Sequence, residues 1–162
     1  MSPLKPFQSR IIFLFVQQEL LVAEIYRFFA GLFPETRDFW EGASREEMEH
    51  ATWVEYFYKK TATDEVRFQE DKVKTYTVES FIKYLEDNLA KVKEKAPTQK
   101  EAFSIALSIE NSMLVRRIFD HFQSSDPETD GLIRDLREKL KDHRKDIETR
   151  AASANGAPQK TR

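Results

Sequence analysis

The chain has 162 residues, no Cys, only four Gly, and 28 acidic residues against 26 basic ones. The lack of Cys excludes disulfides, thiolate metal sites, iron–sulfur clusters and a thiol nucleophile, and the interleaved charges present no basic face for nucleic acid or an acidic membrane. A charge-rich, Gly-poor chain of this size predicts one domain of long amphipathic helices, with thirteen Phe supplying an aromatic core.

Residues 1 to 6 read as a lead-in, with Pro3 and Pro6 placed to precede or open a helix. The apolar run Ile11–Val16 is too short to span a bilayer and precedes no small-residue cleavage site, so a cytoplasmic protein is expected. A first helix is predicted from Phe7 to Leu32, with Gly31 as the stop signal. Phe13, Leu20, Leu21, Glu24 and Phe28 share one face of it, which places the acid Glu24 inside an apolar stripe. A charge there calls for a partner or a metal.

Pro34 to Trp40 adds a turn, and a second helix is expected from Ser44 to Lys60, with Ser44 as N-cap and Glu47 at N3. Glu47-x-x-His50 lies on that helix. Three residues turn the chain by about 300°, so both side chains share a face and suit one metal centre. Thr63 to Thr77 shows no sustained period. Val78, Phe81, Ile82, Leu85, Leu89 and Val92 then mark an accessory helix that ends before Pro97.

Thr98 and Glu101 form a capping-box pattern that opens a third main helix, predicted to run to Gln123. Phe103, Ala106, Leu107, Glu110, Met113, Leu114 and Arg117 share one side, so a second acid falls among apolar neighbours. A turn at 124–127 leads to a last helix, Glu128 to Arg150, with Leu132, Ile133, Leu136, Leu140, His143 and Ile147 facing inward. Residues 1–150 form the predicted domain, and 151–162 a mobile tail. His121 reads as a surface or helix-end histidine, and the aromatic residues, Tyr26 among them, as core packing.

The four long helices thus present Glu24, then Glu47 with His50, then Glu110, then His143. A di-metal carboxylate bundle takes one Glu from each of two helices and Glu-x-x-His from each of the other two. The alternation here is far more specific than any one of its members.

With Ala23-Glu24-Ile25-Tyr26, Glu46-Glu47-Met48-Glu49-His50-Ala51 and Glu101 through Glu110, the chain resembles the rubrerythrin type of ferritin-like protein over residues 7 to 150. The resemblance implies an all-α, ferritin-like four-helix bundle, up-down-up-down, with an extra helix between the second and third main helices. It implies a non-haem iron site, with peroxide reduction or ferrous-iron oxidation as its chemistry. Glu24, Glu47, His50, Glu110 and His143 are the ligands it implies. Without Cys there is no rubredoxin-like module, so an external electron-donor protein is expected. Aromatics left on the bundle exterior suit a homodimer.

One departure stands out. The fourth helix reads Leu140-Lys141-Asp142-His143, with Leu where the motif has Glu. Three glutamates leave two divalent cations with one positive charge in excess, and leave a single cation with one negative charge. Asp142 points about 100° away from His143, and Asp146 lies one turn beyond it. Three outcomes stay open: a working iron site, a catalytically inactive bundle acting as a binding or structural module, or iron binding or storage without turnover. Without metal, Arg27 and Arg117 are the expected partners of the glutamates.

Overall fold

Pro6 suits a first helical position because its φ is already helical and its missing N–H is not needed there. Helix α1 accordingly runs over Pro6–Leu32 in the computed structural model, which describes residues 3–156. Its buried face carries Phe15, Glu19, Val22, Tyr26 and Phe29, while Phe13 and Leu20 stand in solvent. The inward face therefore differs from the expected stripe. Ile11–Val16 is apolar on every side, so hydrophobicity alone does not choose a face; α1 is covered on two sides by other helices.

The first of these is α2, Arg37–Thr61, which follows a 3-10 turn at Pro34–Thr36 and packs along α1. It starts well before Ser44. That serine is not a cap but a buried link between helices, its hydroxyl donating to the Ala23 carbonyl at 2.8 Å. The second is α3, Thr75–Glu94, which lays Val78, Ile82, Leu85, Leu89 and Val92 on the core side and packs on α1. This is the accessory helix expected between the second and third main helices.

Helix α4, Gln99–Glu110, opens on the expected capping box: Glu101 N–H donates to Thr98 Oγ at 3.2 Å, and Thr98 N–H to Glu101 Oε2 at 2.7 Å. The third helix does not continue to Gln123. It ends at Glu110, because Asn111 and Ser112 favour turns and caps over helix interior. Ser112 caps a one-turn helix α5, Met113–Arg116, which leads to a 3-10 turn at Ile118–His121. Phe122–Gln123 (β2) then pairs antiparallel with Arg67–Phe68 (β1), Arg67 opposite Gln123 and Phe68 opposite Phe122. Helix α6, Pro127–Gly156, packs against α4. It carries the first half of the expected mobile tail as ordered helix, with Ala151 buried; residues 157–162 lie outside the described residues. The chain is all-α apart from the two-residue ribbon, and among the described residues no helix is long and apolar enough to cross a membrane.

Two apolar clusters divide the interior. One holds Phe15, Val54, Phe57, Phe119, Phe122 and Leu140. The other holds Val22, Tyr26, Phe29, Trp40, Phe103 and Ile147. On each of α1, α2 and α6 the change from one cluster to the other is marked by a buried polar residue: Glu19, Glu47 with His50, and His143. Glu110 does the same at the end of α4. These side chains form a polar layer through an otherwise aromatic core.

Candidate metal centre

Glu47 sits at the middle of that layer, fully buried on α2. The ligand atoms of Glu19, Glu47 and His50 lie within 4.8 Å of one another, and so do those of Glu47, Glu110 and His143. The two triads share Glu47, which divides its oxygens between them. Its Oε2 lies 3.0 Å from His50 Nδ1, and its Oε1 lies 2.7 Å from His143 Nε2 without hydrogen-bond geometry. His50 Nδ1 also lies 3.4 Å from Glu19 Oε2, and His143 Nε2 lies 3.2 Å from Glu110 Oε1.

Four of the five expected ligands therefore come together: Glu47, His50, Glu110 and His143. Glu24 does not. It lies five residues after Glu19, about 140° around the helix, and its half-exposed carboxylate pairs with Lys93 at 3.4 Å. Glu19 occupies the α1 place in the cluster. Its signal in the sequence is the series Phe15, Glu19, Val22, Tyr26, Phe29, a cleaner helical stripe than the one through Glu24. The arginines expected as metal-free partners are elsewhere: Arg117 pairs with Asp120 at 2.7 Å, and Arg27 makes no ion pair among the described residues. Asp142 and Asp146 belong to neither triad.

Neighbours fix the carboxylates. The Gln18 amide donates both to Glu19 Oε1 at 3.0 Å and to the Leu114 carbonyl at 2.9 Å, so the break after α4 helps aim Glu19. The Tyr26 hydroxyl donates to Glu110 Oε1, and Glu46 Oε2 meets His143 Nδ1. Tyr26 is thus core packing with a polar contact to the site. His121 is buried rather than surface-exposed, its Nδ1 2.8 Å from the Gln69 carbonyl and its ring stacked on Phe15. It stays outside both triads.

Electrostatics follow from burying three acids together. Burial and the Glu47 charge push the Glu19 carboxyl up to about 8, and the same two causes raise Glu110. Burial would also raise Glu47, but the charge on His50 and the His143 imidazole beside it hold it well below the usual carboxylate range. Burial works against a charged imidazole, yet Glu47 and Glu19 push His50 up to about 10. His143 is raised too, as Glu110, Glu46 and Glu47 overcome its burial. Burial, then the Glu110 charge, keeps Tyr26 protonated well above its ordinary range. Without metal, protonated histidines and Glu47 form one buried ion network.

That network leaves two buried inward oxygens, Glu19 Oε2 and Glu47 Oε1, without a hydrogen bond. Buried carboxylate oxygens without a hydrogen bond are costly, and each of these faces an imidazole nitrogen of its triad, His50 Nδ1 at 3.4 Å and His143 Nε2 at 2.7 Å. Oxygen and imidazole donors of this kind suit iron, manganese or zinc, so the residues fit a metal. A cleft of about 580 Å³ between α2 and α6 reaches His50 and His143, lined also by Arg45, Glu46, Glu49, Trp53, Leu136, Lys139, Asp142 and Asp146. Comparison with protein-family models, curated proteins and solved structures finds no match to this chain.

Proposed function

We propose that this chain is a rubrerythrin-like member of the ferritin-like bundles. In this reading it binds iron between its helices, supports peroxide reduction or ferrous-iron oxidation, and draws electrons from an external donor protein. One observation carries the reading. Four separate helices each deliver a buried acid or imidazole to a single layer, as two triads sharing Glu47. Glu19 and His50 would hold one ion, Glu110 and His143 the other, with Glu47 between them. Iron bound there would supply reversible one-electron chemistry to peroxide or dioxygen. The chain's own part is to fix the donors, exclude bulk water with the aromatic clusters on either side, and keep an access cleft at the two histidines.

A second reading has its own support. Leu140 is buried in apolar core where a fourth carboxylate is expected, and the Glu–His network balances charge without metal. In that reading the bundle is a catalytically inactive binding or structural module.

Anaerobic titration with Fe²⁺, followed by hydrogen peroxide, separates the two. Stoichiometric iron uptake with peroxide-dependent oxidation of the bound iron supports the first. Iron uptake without turnover supports an inactive metal-binding bundle. No uptake and an unchanged melting temperature sink every metal reading.

A further inference from the structure

His50 and His143 use different nitrogens. His50 Nδ1 lies 3.0 Å from Glu47 on its own helix and 3.4 Å from Glu19, so the near nitrogen faces the site. His143 reaches across from α6 with Nε2 and leaves Nδ1 to Glu46. Glu46 precedes Glu47 on α2, and its side chain is 52% exposed at the edge of the cleft between α2 and α6. It is the one acid on the cleft wall whose oxygen meets a histidine of the triads.

We infer that Glu46 is the fourth carboxylate of this centre, a positioning residue that acts through His143 and replaces the acid lost at Leu140. The inference rests on the metal-centre reading. A carboxylate on the outer nitrogen of a ligating histidine fixes ring orientation and tautomer, and makes the metal-facing nitrogen a better donor. Here the carboxylate also closes the charge count. Glu19, Glu47 and Glu110 leave two divalent cations with one uncompensated positive charge. Glu46 supplies the missing negative charge one imidazole away, where no bridging oxygen from Leu140 can.

The test compares the wild-type protein with Glu46→Gln and Glu49→Gln, each titrated anaerobically with Fe²⁺. Glutamine keeps the size and polarity of the side chain but removes the charge, and Glu49 lies on the same cleft without touching a histidine. Wild type and Glu49→Gln should each take two ions per chain, with the second bound about 10- to 100-fold more weakly in Glu46→Gln. Equal binding by all three proteins overturns the inference, as does equal weakening by both variants, which marks a general field of the cleft. Two-ion binding absent from wild type while one ion binds also overturns it, and leaves the metal reading standing. No ion bound by wild type instead removes the metal reading itself. A second measurement needs no variant: in Zn²⁺-loaded, ¹⁵N-histidine-labelled wild type, His143 should bind through Nε2 and keep a proton on Nδ1. Metal on Nδ1 overturns the inference.

Discussion

The two triads are built from the same residue types, two carboxylates and one imidazole, yet they are not equivalent. In the Glu19–Glu47–His50 triad the α1 acid is held by Gln18, and the histidine stands three residues from its carboxylate on one helix. The Glu47–Glu110–His143 triad is assembled from three helices and braced by Tyr26 and Glu46. Three residues before His143 stands Leu140, so its ring finds no acid on its own helix and extends to one on α2. His143 faces inward with Nε2, and Glu46 of α2 stands at its outer nitrogen.

Removing the shared residue should erase the comparison altogether. Glu47→Gln is expected to bind no metal by elemental analysis after iron loading. Its metal-free form should lose about 3–5 kcal/mol in urea unfolding, because two buried imidazoles lose their charge partner. A variant that still holds one ion would show that the triads do not depend on a common carboxylate.

Leu140→Glu should make the triads more alike at a cost. The new acid enters the aromatic cluster with Phe57 and Phe119, so the metal-free variant should melt at a lower temperature than wild type. Iron should restore stability and bind more tightly than in wild type, which widens the gap in melting temperature between loaded and metal-free forms.

Glu19→Gln and Glu24→Gln sharpen the Glu19–Glu47–His50 triad. The first should bind one ion with affinity lowered by at least about tenfold, since it removes a direct ligand where even outer partners matter that much. The second should match wild type in stoichiometry and affinity, because the Glu24 carboxylate lies on the outer side with Lys93.

The smallest expected effect is on pH dependence. His50 is raised from 6.5 to about 10 in the fold, so its share of metal-free stability is complete below pH 6.5 and is lost as pH rises toward 10. Glu19, raised from 4.5 to about 8, loses its share between those values as pH rises. Metal must displace both protons, so iron affinity should rise from pH 6 to 8 with proton release. Calorimetric titration in buffers of different ionisation enthalpy reads that release; its absence would mean the histidine is already neutral.

Much of the site is legible in the amino-acid sequence. Glu47 and His50 share a helix at a spacing that forces them onto one face, so local geometry already puts them together. The accessory helix and the Thr98 capping box follow from patterns a few residues long. Glu110 and His143 stand out as polar residues within apolar stripes. Glu24 stands out for the same reason, and its placement at the surface shows the limit of that signal. A helix apolar on most sides offers several stripes, and only its packing against α2 and α3 selects the one through Glu19. The break after Glu110 is written in Asn111 and Ser112, but a longer amphipathic pattern obscures it. Glu46 leaves no signal at all, since an exposed acid on a charged helix is ordinary.

Periodicity and spacing act within a single helix, so they suffice to specify an all-helical chain and the intact Glu47-x-x-His50 pair. Tertiary packing alone decides that Glu19 rather than Glu24 joins that pair, that His143 turns its far nitrogen inward, and that Glu46 stands behind its ring. Those outcomes depend on which faces of different helices meet, and on where a carboxylate from one helix can reach an imidazole on another.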